Sequence, residues 1–105
     1  MSQFAVYRNR NPRSRAAFPL LLDVQSSLLE DLQTRVVIPL SKAAALTKNP
    51  VSGLTPVVEL QGERYVLVTS QLAGIARSEL GPVAGSLASE RDRILGALDF
   101  LLTGF

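Results

Sequence analysis

One stretch of this 105-residue chain has a helical period, and it comes last. Ser86 to Phe105 reads SLASERDRILGALDFLLTGF, in which Leu87, Glu90, Arg91, Ile94, Ala97, Leu98 and Leu101 recur at steps of three and four. Ser86 or Ser89 is placed to cap its start, and Glu90 and Asp92 bring negative charge to the first turn, where the helix dipole favours it. Gly104 is the expected left-handed stop. A carboxylate held against a helix C-terminus is unfavourable, so Thr103-Gly104-Phe105 is expected to turn away from the axis. A short apolar tail of that kind is either a frayed end or a segment for insertion into a partner.

Everything before that helix is short and β-patterned. Gln3 to Arg8 reads as a first strand. Leu20 to Gln25 reads as a second, with Leu20, Leu22 and Val24 on one face and Leu21, Asp23 and Gln25 on the other. Between them, Asn9 to Ala17 holds Pro12, three arginines and two asparagines, which makes a loop. Ser26 to Gln33 is a connection that exposes or half-buries Leu28 and Leu29. Thr34 to Leu40 is a third strand, where Pro39 suggests an edge or a bulge. Ser41 to Leu46 is a capped helical turn that stops before Asn49-Pro50, and Val51 to Thr55 is a second loop. Val57 to Leu60 and Glu63 to Thr69 form a hairpin across Gln61-Gly62, although Gln in the first turn position leaves a longer turn open. Leu72 to Leu80 is the last strand, broken by Gly81-Pro82. Several short strands followed by one helix predict a mainly β fold, an antiparallel barrel or curled sheet with the helix packed on one side. The length predicts a single domain over residues 1–105.

The chain has no cysteine and no histidine. Disulfides, thiolate nucleophiles, histidine-based zinc sites and catalytic triads are thereby excluded, and neither a metal nor a cofactor is expected. Any chemistry falls to arginine, carboxylates, hydroxyls and tyrosine. Leu20-Leu21-Leu22 is cut short by Asp23, so no run spans a membrane, and the start lacks the apolar core of a signal peptide. A cytoplasmic protein is expected. The net charge of +2 conceals an asymmetry: residues 1–15 hold four arginines and no acid, while the rest hold seven basic and nine acidic residues. Such a basic arm suits an acidic partner or nucleic acid, or is simply a solvated loop.

The segments QFAVYRN, LLDVQSSLL at 21–29, RVVIPL at 35–40, PVVEL at 56–60 and DFLLTGF at 99–105 together resemble the CcdB toxin family. The resemblance runs through the whole chain, in order and at matching spacing. It implies a small SH3-like antiparallel barrel with a C-terminal helix, assembled as a homodimer. It also implies a toxin that binds the A subunit of DNA gyrase, traps cleaved DNA, and is neutralised by a CcdA-like antitoxin. Direct nucleic-acid recognition is not expected. Carried over by position, gyrase binding falls to Thr103, Gly104 and Phe105, to Asp92 and Asp99 on the helix, and to Ser26, Leu28, Leu29 and Glu30 in the connection. Arg13 and Arg15 are the implied seat of an antitoxin tail. The pattern departs at Thr103, where the best-known member has a tryptophan that stacks on a gyrase arginine. A threonine cannot make that cation–π contact, worth roughly 0.5–2 kcal/mol, and Phe105 is left to compensate.

The alternative is an enzyme. The same fold carries messenger-RNA-cleaving toxins resembling MazF and Kid, which work without histidine. Arg35, Thr34, Asp23 and Glu59 are the residues such a reading would recruit, although no spacing among them demands it and strand structure accounts for all four.

Overall fold

The alternating segments pair into one antiparallel sheet. The computed structural model describes residues 2–45 and 53–104. Its strands are β1 (Ala5–Asn9), β2 (Leu20–Asp23), β3 (Thr34–Lys42), β4 (Val57–Leu60), β5 (Glu63–Leu67), β6 (Ala73–Ala76) and β7 (Leu80–Ser86), followed by one helix, α1 (Arg91–Thr103). The spatial order is β4-β5-β3-β2-β1-β7, with β6 also paired to β3. Gln61-Gly62 is a tight two-residue turn, with both φ values positive at 53° and 82°. The Gln61 side chain reaches across to donate to the Ala84 carbonyl at 2.6 Å. At Gly85 any Cβ would lie 2.8 Å from Leu60 Cδ1. The β4–β5 hairpin therefore packs on β7, the opposite end of the strand order, and the sheet curls into a half-barrel.

Alternation fills two layers. Val6, Leu22, Ile38, Leu40 and Leu67 point inward and meet Ile94 of α1, whose complete burial contributes about 1.5–3 kcal/mol. Tyr7, Leu21, Val37 and Leu80 form a second, smaller cluster on the other face. All four residues of β2 are buried for that reason, Asp23 included.

Four expectations are revised. Pro39 lies in β3, opposite Leu21 of β2, at the point where β3 exchanges β6 for β5 as its other neighbour. Its carbonyl accepts from Val68 N–H at 2.9 Å, and no ladder bond is asked of its missing N–H there. The expected strand from Leu72 to Leu80 is β6, a 3-10 turn over Arg77–Glu79, and the beginning of β7. Gly81-Pro82 does not end that strand, because β7 is an edge strand and Pro82 falls where its register on β1 shifts, between the pairs Tyr7↔Val83 and Asn9↔Leu80. The helix starts at Arg91. A 3-10 turn over Ala88–Glu90 precedes it, and Ser86 Oγ accepts from Ala88 N–H at 3.2 Å instead of capping α1. Of the turn expected over Ser41 to Leu46, Ser41 and Lys42 instead end β3, Ala43–Ala45 forms a 3-10 turn, and Leu46 lies outside the described residues, as do Val51 and Ser52 of the loop expected over Val51 to Thr55.

Two glycines give a direct check on this packing. A Cβ at Gly81 would lie 2.9 Å from the Arg8 carbonyl, so Gly81→Ala must shift backbone and will destabilise by about 1–3 kcal/mol. At Gly96, in the exposed face of α1, nothing lies within 4 Å, so Gly96→Ala will stabilise by about 0.5–1 kcal/mol. Urea unfolding of the two variants should move the midpoint in opposite directions.

Candidate functional site

The connection after β2 is held rigid from beneath. Asp23 and Arg35 are both fully buried, with Arg35 Nε donating to Asp23 Oδ2 at 3.0 Å. Arg35 Nη2 comes within 2.7 Å of the same oxygen without the alignment of a hydrogen bond. Asp23 Oδ1 accepts from Gln25 N–H at 3.0 Å, and Gln25 in turn joins Val36 N–H (3.0 Å) and the Leu29 carbonyl (2.9 Å). Arg77 Nη1 donates to the Glu30 and Leu32 carbonyls at 3.1 and 3.4 Å. Ser26 opens a 3-10 turn over Ser27–Leu29, its Oγ accepting from Leu28 N–H at 3.2 Å. The backbone is thus fixed while its apolar side chains are left outside: Leu28 is 94 % exposed, Leu29 50 % and Leu32 48 %. Glu30 is also exposed. Leu32, Gln25 and Arg77 were not expected here. Spacing from the Leu28-Leu29 pair could have suggested Leu32, but nothing local marks Arg77, whose partners lie 45 and 47 residues away, and Gln25 reads simply as a strand residue.

At the other candidate surface, Gly104 takes the left-handed conformation (φ 79°) and its N–H closes on the Phe100 carbonyl. Thr103 does not turn away. It is the last residue of α1, and its hydroxyl donates to the Asp99 carbonyl at 2.6 Å. Asp92 and Asp99 are exposed, with Asp92 in the first turn. Leu102 is exposed and Phe100 partly so, which leaves the end of α1 apolar. Phe105 lies outside the described residues.

These two parts share a root. Phe4, held at φ 70°, donates its N–H to the Asp23 carbonyl and accepts from Leu87 N–H. From Arg91, α1 carries Thr103 about 18 Å along its axis. Among the described residues no hydrogen bond or ion pair joins the end of α1 to the 26–30 connection.

The basic arm is anchored, although its arginines form no ion pair among the described residues. Asn9 is buried and donates to Ser14 Oγ and the Phe18 carbonyl, both at 2.9 Å, while its Oδ1 accepts from Asn11 N–H. Arg13 and Arg15 are exposed and form no ion pair among the described residues. A cavity of about 180 Å³ lies between this loop and the sheet. Of the residues an RNA-cleaving site would recruit, Asp23 and Arg35 are sealed in their ion pair. Thr34 stands at the start of β3, and Glu59 is exposed on β4 opposite Arg64. The sheet does not gather the four into one groove.

Among the described residues, no helix is long and apolar enough to cross a membrane. The chain is similar in structure to an endoribonuclease from Mycobacterial species, with a TM-score of 0.73 at 18 % identity, covering 97 % of this chain and 90 % of that one. It is similar also to an endoribonuclease in complex with its cognate antitoxin from Mycobacterial species, with a TM-score of 0.74 at 18 % identity, covering 97 % and 94 %. At that identity the likeness establishes the fold. A family model described as CcdB protein matches residues 3–104, a span that takes in every strand, the connection and all of α1, and the chain accordingly belongs to the CcdB family of toxin–antitoxin toxins.

Proposed function

We propose that this toxin binds the A subunit of DNA gyrase and traps the enzyme on cleaved DNA, acting as a homodimer. The observation that carries the reading is Leu28, 94 % exposed on a backbone fixed by a buried ion pair. A large apolar side chain held rigidly in water supports a partner surface, because little conformational freedom remains to be lost on binding. Leu29, Ser26 and Glu30 extend that patch, and Thr103, Gly104, Phe105, Asp99 and Asp92 supply the second. A two-fold dimer presents two copies of each patch, which suits a target with its own two-fold axis.

The test is Leu28→Asp. At 94 % exposure the change should leave unfolding within about 0.5 kcal/mol of the parent. Affinity for a purified gyrase A fragment should fall by about 1.5–3 kcal/mol or more, roughly 10- to 150-fold. Unchanged affinity in calorimetry would remove the connection from the site.

The family membership supports an antitoxin partner. Arg13 and Arg15 are exposed and form no ion pair among the described residues, which supports an acidic tail as the antitoxin's contact there. Replacing both with Ser should weaken the toxin–antitoxin complex more at low salt than at high salt, since exposed charges are screened over about 10 Å at 0.1 M. Equal affinity of the double variant in dilute buffer would leave the loop out of that interface.

A further inference from the structure

We propose that the cavity under the basic arm holds one base of a single-stranded nucleic acid, with the adjoining phosphate on Arg10 and Arg13. This site uses none of the gyrase-binding residues and stands independently of that reading. It also departs from the expectation that the chain makes no direct contact with nucleic acid.

The cavity is preformed, because Asn9 staples the loop over it through Ser14, Phe18 and Asn11. Its volume of about 180 Å³ is below the roughly 300–1,000 Å³ of sites that enclose whole drug-sized ligands, so it suits one ring system. Its floor is apolar, built from Val37, Pro39 and Ile75 with Phe18 at the side. Its polar lining is mostly engaged in holding the loop, through Asn9, Asn11 and Ser14, which leaves Gln71 and Glu79. Among the described residues the Gln71 amide has no hydrogen-bond partner, and the Glu79 carboxylate accepts a hydrogen bond only from Asn11 Nδ2, at 3.5 Å. A flat group with an apolar face and a hydrogen-bonding edge matches this arrangement, and a nucleobase has both.

Glu79 decides between candidate occupants. An apolar peptide side chain would leave the carboxylate with its long bond to Asn11 alone and offer the Gln71 amide nothing. A base with a donor edge satisfies Glu79, as the cytosine amino group does for a carboxylate and the guanine edge does with two N–H groups. Uracil offers a single N–H between two carbonyls. Beside the cavity, and sharing Asn11 and Glu79 with it, a second depression of about 400 Å³ is lined by Arg10 and Arg13. Neither arginine has an ion-pair partner among the described residues. The shared lining sets that depression next to the cavity, where the phosphate attached to a bound base would lie. A single strand is the fitting form, because its unstacked bases can enter without the cost of unpairing.

The experiment is fluorescence anisotropy of the full chain with short labelled oligonucleotides of cytosine and of uracil, in RNA and in DNA form. Cytosine oligonucleotides should bind at least about tenfold more tightly than uracil ones. Glu79→Gln should erase that preference, and Arg10→Ser with Arg13→Ser should weaken all oligonucleotides in parallel. Thermal melts confirm that each variant is folded, and the Gln71 side-chain amide should shift in the NMR spectrum on titration with CMP but not with UMP. Equal binding of RNA and DNA supports base and phosphate as the whole of the recognition, and a preference for RNA supports an added sugar contact. The proposal is overturned if cytosine and uracil oligonucleotides bind alike. It is also overturned if Glu79→Gln keeps the preference, or if only an acidic peptide occupies the loop.

Discussion

Arg35→Ala will cost about 3–5 kcal/mol of stability, because it leaves Asp23 charged and buried with no cation beside it. Domains of this size are stable by only about 5–15 kcal/mol, so the variant will be partly unfolded at 37 °C or close to it. The loss comes from the orphaned carboxylate and not from the worth of the pair. A double change, Asp23→Val with Arg35→Met, removes both charges and fills the space with apolar atoms, and should recover most of the loss. Its connection will nevertheless be looser, since the Gln25 N–H and Leu29 carbonyl lose the partners that Asp23 and Arg35 provide. Urea unfolding checks the first statement. Faster amide exchange across residues 26–32 in the double variant checks the second. If Arg35→Ala unfolds at the parental midpoint, the buried pair is not what holds the connection.

Deleting Thr103 to Phe105 should have the opposite profile, a small structural effect and a large functional one. Among the described residues the deletion removes the exposed hydrogen bonds from the Thr103 hydroxyl to the Asp99 carbonyl and from Gly104 N–H to the Phe100 carbonyl, together with the backbone bond of Thr103 in the last turn of α1. Each contributes about 0.5–1.5 kcal/mol at most, and the buried anchors of α1, Ile94 and Ala97, are untouched. Folding and most antitoxin binding should persist. In the proposed complex each Phe105 ring contributes about 1.5–3 kcal/mol if fully buried. In a dimer the second tail binds intramolecularly once the first has engaged, so losing both lowers affinity on the order of a hundred- to ten-thousand-fold. Growth inhibition on induction should vanish with it. Undiminished toxicity of the truncated chain would take the tail out of the mechanism.

The strands were legible because period-two alternation survives tertiary packing, and Leu20, Leu22 and Val24 do share the inner face. The same alternation placed Asp23 beside Leu21 and Gln25 but could not reveal that this face is also covered. The covering cluster draws Tyr7, Val37 and Leu80 from three other strands. The break expected at Gly81-Pro82 failed for a related reason, since an edge strand with a register shift tolerates a residue that a central strand rejects. Positive φ at Phe4 has no sequence signal at all. It is imposed by bonds to the Asp23 carbonyl and Leu87 N–H, far away along the chain. Of the candidate site, the exposed Leu28-Leu29 pair and the Gly104 stop were readable locally. The network that fixes the connection, and the cavity beneath the basic arm, exist only once distant strands are side by side.

The central claim is tested most directly by incubating the purified toxin with gyrase and supercoiled plasmid, denaturing the mixture, and scoring linear DNA. Linear DNA should accumulate with the full chain and stay at background with the chain lacking residues 103–105. If neither form raises linear DNA while both degrade messenger RNA, the protein is an endoribonuclease toxin and the gyrase account is wrong.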